Sequence, residues 1–328
     1  MLVRPRFHAQ SHMNDPMNVP APTPPASAPS AADSPRTQLG DFELTIVSDG
    51  TYYLDAGSMF GVVPKSLWSK RVQVDERNLM VCGTNSVLVR DGKQNVLIET
   101  GIGNKLGPKL KAIYDNQERL IANLAKLGVK PQQIDIVINS HLHFDHCGWN
   151  TRYEKGGDLE HGVAVPTFPN ATYYAQKGEW EHGSLQLERD RISYISDNYD
   201  PLIKTGQMRL LEGDANIAPG ISVEIFAGHT RHMQAIKIES GAQGGSPTGR
   251  KTACYISDLI PTSHHLDVTW VMSYDVFPLD TIQNRKRYYA RAIPENWLTI
   301  FTHDHFTPWA YVHEAKSGKM GVREVLVS

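Results

Sequence analysis

Cysteine is scarce in this chain. Its 328 residues include three, Cys82, Cys147 and Cys254, far apart and without a C-x-x-C pair. Neither a disulfide framework nor a thiolate zinc cluster can be built from that supply, so reduced thiols are expected. An excess of charge is also missing: 33 Lys and Arg stand against 35 Asp and Glu. No net positive field is present to hold a polyanion, which argues against a nucleic-acid partner and for a small, weakly charged one. No stretch approaches the roughly 20 apolar residues of a membrane span, and MLVRPRFHAQ lacks the apolar core of about 7–15 residues that a signal peptide needs. The expectation is a cytoplasmic protein without a membrane partner.

Buriable residues are missing from one segment. Pro16 to Arg36 reads PMNVPAPTPPASAPSAADSPR, so residues 1–38 are expected to be a disordered Pro/Ala-rich arm and residues 39–328 a single folded domain. An arm that embraces a second copy of the chain would make a homodimer.

Beyond Leu39, short apolar runs alternate with turn signals. FELTIVSDG reads as a strand, and NSVLVRDGKQNVLIETG as a hairpin turning at Asp91 and Gly92. DNQERLIANLAKLG places Leu120, Ile121, Leu124 and Leu127 at helical spacing, with Asp115 and Glu118 set as a capping box and Gly128 as the stop. IDIVINS follows directly as a buried strand. ISVEIFAG, MQAIKIES, TACYISD and NWLTIFTH are further strands, and a helix is expected over Leu279 to Ala292. The pattern is that of one layered α/β domain.

INSHLHFDHCGWN places three histidines and an aspartate within six residues. Residues two apart on an extended segment project to one side, so His141 and His143 can meet one metal ion. Asp145 and His146, from the first turn of a following helix, point elsewhere and suit a second ion. A lone histidine is usually a surface or core residue. Four such groups in H-x-H-x-D-H order would be costly without a cation to satisfy them. Further polar residues end apolar runs, where α/β sheets build their sites: His229 after ISVEIFAG, Asp258 after TACYIS and His303 after NWLTIFT.

SHLHFDH, GHT, SD and THD, in that order, resemble the metallo-β-lactamase superfamily of αββα hydrolases, from about Leu39 to the end. The resemblance implies an αββα sandwich in which His141, His143 and His229 hold one metal, Asp145, His146 and His303 the other, and Asp258 bridges them. It also implies two divalent ions, zinc first and manganese, iron or cobalt as alternatives, with Asp145 and Asp258 as the catalytic carboxylates. GSMFGVVPKSLWSK, DLIPTSHH and WVMSYDVFP look like the subgroup of quorum-quenching N-acyl homoserine lactone lactonases and their arylesterase and organophosphate-hydrolase relatives. The implied activity is opening of a small-molecule lactone or ester by a metal-bridging hydroxide. Phosphotriester or aryl-ester hydrolysis is the alternative, and a non-catalytic metal-binding protein the distant one.

Three departures from the family pattern stand out. GHTRH is one residue shorter than GHTxGH, so the turn behind His229 must differ. Glu99 stands where an aspartate usually precedes Thr-Gly. Pro261 occupies the place of a carbonyl-polarising tyrosine, leaving Tyr255, Tyr274 or His265 as candidate donors. Met59, Phe60, Val62, Val63 and Trp68, in a loop framed by Gly57 and Gly61, are candidates for a substrate-pocket wall, with core packing as the competing reading. His265 is a further candidate for the pocket. Arg285, Lys286, Arg287 and Arg291 read as a solvated helix face, and Cys147 as a packing residue.

Overall fold

The computed structural model describes residues 34–154, 162–241 and 249–325. The proposed arm, apart from its last few residues, lies outside them, as does His161.

In chain order the first half forms β1 (Arg36–Leu39), β2 (Phe42–Asp55), α1 (Ala56–Phe60), α2 (Lys65–Trp68), β3 (Leu79–Arg90), β4 (Asn95–Ile98), α3 (Pro108–Tyr114), α4 (Leu120–Lys126), β5 (Ile136–Ile138), α5 (Phe144–Cys147), β6 (Thr151–Tyr153) and β7 (Ala164–Pro166). It continues with β8 (Thr172–Gln176), α6 (Lys177–Ser184), α7 (Asp200–Lys204) and β9 (Met208–Leu211). The second half carries β10 (Ala215–Ala218), β11 (Ile221–Ile225), β12 (Gln234–Glu239), β13 (Thr252–Tyr255), α8 (Pro278–Ala292), β14 (Leu298–Ile300), β15 (Trp309–Glu314) and β16 (Met320–Glu324).

Two seven-stranded sheets result, ordered β1-β2-β3-β4-β5-β8-β9 and β10-β11-β12-β13-β14-β15-β16. Their facing surfaces share one apolar core, with Leu44, Ile46, Val87, Ile98 and Ile138 from the first sheet against Val223, Ile236, Tyr255 and Ile300 from the second. Leu120 and Leu124 of α4 cover the outer face of the first sheet, and Tyr288, Tyr289 and Ala292 of α8 cover that of the second. Both faces of each sheet are therefore buried, which is why the strands read as apolar runs more than as alternation. The layers are helix, sheet, sheet, helix: an αββα sandwich.

The expected hairpin through Asp91 and Gly92 is present, and β5 pairs in parallel with β4 and β8. The helix expected from Asp115 starts only at Leu120. Asp115 instead closes α3 in the left-handed region at φ 49°. The start of α4 is capped from afar: Asp49 Oδ1 accepts from the Leu120 amide at 2.8 Å. The same carboxylate accepts from Trp149 Nε1 at 2.8 Å and from the amides of Ile102 and Gly103 at 3.0 Å. One buried aspartate thus joins β2, α4, the loop after β4 and the turn that follows α5.

The late helix also differs from expectation. Lys286 and Arg287 are exposed, but Arg285 is fully buried and donates to the carbonyls of Leu259, His265, Asp267 and Trp270. It ties the long loop after β13 to α8, a use that a charge run cannot reveal.

Lys105 is buried as well. Its ammonium donates to the carbonyls of Gly148, at 2.5 Å, and Thr151, just past α5. Burial brings its pKa down to about 8 from an ordinary 10.5. Between those values the unfolded chain holds a proton that the folded chain has released, so this group's contribution to stability rises with pH across the window. Lys105→Met is expected to flatten that rise. Urea midpoints of both proteins at about pH 8 and pH 10 check it, and parallel slopes would contradict it.

Candidate metal centre

Five of the seven candidate ligands stand beyond the end of a strand. His141 and His143 follow β5, His229 follows β11, Asp258 follows β13 and His303 follows β14. Asp145 and His146 lie in α5, whose start at Phe144 turns them away from His143. The pairs β4 and β5, and β13 and β14, run parallel, so their carboxyl ends open at the same edges of the two sheets.

The seven side chains converge. His229 Nε2 lies 3.0 Å from His143 Nδ1, and the His141 ring centroid is 4.5 Å from that of His143 and 5.0 Å from that of His229. His303 Nε2 approaches Asp145 Oδ2 at 3.6 Å, and His146 Nε2 lies 3.8 Å from Asp145 Oδ1. Asp258 stands between the two groups. Its Oδ2 faces His229 Nε2 at 3.3 Å, while its Oδ1 faces His303 Nε2 at 3.1 Å and His146 Nε2 at 3.6 Å. The ligand-type atoms of His141, His143 and His229, and those of Asp145, His146 and His303, each lie within 4.8 Å of one another.

Electrostatics fit a cation. Burial and the neighbouring imidazoles hold His141 and His143 well below the usual histidine pKa, leaving neutral rings with a free lone pair. Burial also pulls down His146, but Asp258 and Asp145 outweigh it and hold the ring above its ordinary value. Burial likewise works to raise Asp258, yet His303, His146 and His229 hold its carboxyl well below the carboxylate range. His141 Nε2, His146 Nε2 and Asp258 Oδ1 are buried without a hydrogen-bond partner among the described residues. Buried polar atoms left unpaired in this way are costly, and a divalent ion within each group would satisfy them.

Three of the remaining ring nitrogens are pinned. His141 Nδ1 meets Ser140 Oγ at 3.0 Å, His229 Nδ1 meets Asp275 Oδ1 at 3.1 Å, and His303 Nδ1 meets the Gly83 carbonyl at 2.9 Å. Glu99 Oε1 lies 3.4 Å from His146 Nδ1 and accepts from the Ser140 amide at 2.9 Å. Glu99, at φ 60°, and Ser257, at φ 52°, both hold left-handed backbone. Non-glycine residues persist there only where the surroundings force them, and both adjoin the cluster.

Several of these partners have no sequence signal. Glu179 of α6 is buried and accepts from the Thr230 hydroxyl, from the His232 amide at 3.2 Å and from Tyr194 at 3.2 Å. It holds together the shortened turn behind His229. Tyr52 of β2 donates to Asp145 Oδ2 at 2.8 Å. Pro261, in the tyrosine's expected place, receives the His303 amide on its carbonyl at 2.9 Å.

The pocket candidates fare differently. The stretch between Gly57 and Gly61 belongs to a short helix, α1, capped by Asp55 Oδ1, which accepts from the Ser58 amide at 2.8 Å. Met59, Phe60 and Trp68 are buried in one apolar cluster, where core packing accounts for them, while Val62 is 85% exposed. His265 is fully buried, stacked 4.6 Å from Phe60 and bonded to the Met59 carbonyl at 2.8 Å. Burial and Arg285 bring its pKa to about 3, so it stays neutral there. Tyr255 is likewise occupied, donating to the Asn85 carbonyl at 2.9 Å.

A cavity of about 640 Å³ opens nearby, bordered by Tyr53, Val74, Val81, His264, His305 and Phe306, among others, and it meets the cluster only at His303. Tyr52 pairs with Cys82 and Tyr53 with Val81. Alternation along the strands turns Tyr53 and Val81 to the opposite face of the hairpin from Tyr52.

A family model described as the metallo-beta-lactamase superfamily matches residues 79–244, half of the chain. The chain belongs to the metallo-beta-lactamase superfamily. Among curated members, an N-acyl homoserine lactonase from Bacillus cereus is 27% identical over 128 residues, which span 39% of this chain and 42% of that protein. Among solved members, a probable metal-dependent hydrolase from Staphylococcus aureus is 31% identical with a TM-score of 0.75, covering 89% of this chain and all of that one. AidC, described as a dizinc quorum-quenching lactonase in complex with a product, is 17% identical with a TM-score of 0.70, covering 89% of this chain and 97% of that one. At that identity the likeness is one of fold.

Two outcomes follow for this superfamily member. Phe60→Ala is expected to lower stability by about 3–5 kcal/mol, read by urea denaturation, because the ring is fully buried. A change in kinetics without loss of stability would favour the pocket-wall reading. Asp275→Ala frees His229 Nδ1 and is expected to weaken retention of divalent metal by about 10–100-fold against a competing chelator. Unchanged retention would show that Asp275 does not orient the ring.

Proposed function

We propose that this chain is a dinuclear metal-dependent hydrolase that opens lactones or carboxylic esters, with N-acyl homoserine lactones the favoured substrates. His141, His143 and His229 would hold one ion, Asp145, His146 and His303 the other, and Asp258 would join them. The observation that carries this reading is Asp258, with one oxygen turned to each group. Zinc suits the imidazole and carboxylate donors best, and manganese, iron or cobalt would also be accepted. The curated relatives named N-acyl homoserine lactonase support the substrate class.

When bound, a pair of divalent ions lowers the pKa of water and polarises the oxygen of a carbonyl or phosphoryl group. The chain's own residues do the rest. Asp145 and Asp258 place their carboxyl groups beside the reacting centre. One of them takes the proton released by the attacking water and returns it to the leaving alkoxide, so that water adds across the broken C–O bond. Ser140, Glu99, Asp275 and the Gly83 carbonyl keep the rings fixed throughout, which favours positioning over reorganisation.

Aryl-ester or phosphotriester hydrolysis is the second reading. Pro261 favours it, because the side chain there offers no donor for a lactone carbonyl. Metal analysis of the purified protein, with a panel of homoserine lactones, aryl esters and phosphotriesters, distinguishes the two readings by rate. His141→Ala and Asp258→Ala are each expected to lose bound metal and nearly all turnover together. Metal loading and turnover that survive either substitution would refute the ligand assignment, and metal without hydrolysis of any of the panel would leave a non-catalytic metal-binding protein.

A further inference from the structure

Tyr52 is fully buried, and its hydroxyl reaches one carboxylate of the cluster from a strand that supplies no ligand-type side chain to it. The hydroxyl donates to Asp145 Oδ2 at 2.8 Å and lies 3.3 Å from His303 Nδ1. His303 Nδ1 in turn meets the Gly83 carbonyl at 2.9 Å, so that nitrogen carries its proton toward Gly83 and the phenol proton goes to Asp145. Burial and the charge of Asp145 hold the phenol protonated. The Tyr52 ring is braced edge-on against Tyr114, with centroids 6.2 Å apart, and against His303 at 5.7 Å. Asp145 Oδ1 receives no hydrogen bond among the described residues and lies 3.8 Å from His146 Nε2, while Oδ2, which holds the phenol, lies 3.6 Å from His303 Nε2.

We propose that Tyr52 is a positioning residue of this centre: by binding Oδ2 it fixes the rotation of the Asp145 carboxylate, so that Oδ1, the oxygen without a hydrogen bond, is the one offered to an ion on the His146 side. The inference rests on the dinuclear reading above and goes beyond its ligand set. Without the hydroxyl, Oδ2 loses its donor and the carboxylate is free to turn and grip with both oxygens. A carboxylate bound through one oxygen leaves the other free of the metal, whereas one gripping with both does not, so the hydroxyl sets the ligand mode as well as the affinity.

The test is titration of the metal-free full chain with cobalt(II), followed by its visible d–d absorption and by chelator competition, for wild type, Tyr52→Phe and Tyr53→Phe. Wild type and Tyr53→Phe are expected to take two equivalents with the same spectrum. Tyr52→Phe is expected to bind one equivalent normally and the other about 10–100-fold more weakly, with lower absorptivity as the coordination number rises. Two equivalents of wild-type affinity and spectrum in Tyr52→Phe would overturn the role of Tyr52 and leave the dinuclear reading standing. Fewer than two equivalents in wild type would overturn both. Should Tyr52→Phe not fold, a crystal structure of the metal-loaded wild type decides: Asp145 bound through Oδ1 alone with Tyr52 on Oδ2 supports the inference, and a two-oxygen grip overturns it.

Discussion

The Asp258 carboxylate is the interaction on which the rest of the structure depends. It is 4% exposed, and histidines delivered by both sheets surround it, with His146 and His229 on opposite sides and His303 at 3.1 Å. A buried anion of this kind is tolerated only when opposite charge stands close. The carboxylate in turn holds His146 and His229 above the ordinary histidine pKa, while burial and the neighbouring imidazoles hold His141 and His143 below it. Two divalent ions would supply that opposite charge permanently.

The remainder of the fold keeps this crowded arrangement from relaxing. Arg285 anchors the loop that leaves Asp258, and Ser257 accepts a left-handed backbone so that the carboxylate turns inward. Ser140 and Ser257 meet across the sheets at 2.7 Å, linking the end of β5 to the end of β13. Glu99 is one methylene longer than the aspartate usual at this point in the family. It too sits at positive φ, where the altered backbone direction gives the longer side chain room to reach both His146 and the Ser140 amide. Strain and burial are thus concentrated where geometry matters most to the proposed chemistry.

Local signals made much of this legible. His229, Asp258 and His303 could be picked out because each follows an apolar run, the H-x-H-x-D-H cluster marked the other four, and the family resemblance joined them into one set. The layered fold followed from the same runs. What stayed hidden depends on partners distant in sequence: Tyr52 and Asp145 are 93 residues apart, His229 and Asp275 are 46 apart, and Asp49 caps a helix that begins 71 residues later. Asp115 and Glu118 matched a capping box by spacing alone, and the tertiary contact from Asp49 overrode it. Phe60 misled for a related reason, since glycines at both ends suggest a loop while the cap at Asp55 and the stack on His265 make a buried helical turn. Arg285 read as solvated because a charge run does not disclose which member faces carbonyls.

In the proposed centre, one carboxylate, that of Asp258, would join two metal ions at the edge between the sheets. Anomalous diffraction from crystals of the zinc-loaded protein tests it most directly. The account predicts two peaks about 3.5–4 Å apart, one within His141, His143 and His229 and the other within Asp145, His146 and His303, with Asp258 between them. A single peak, or peaks away from Asp258, would contradict it.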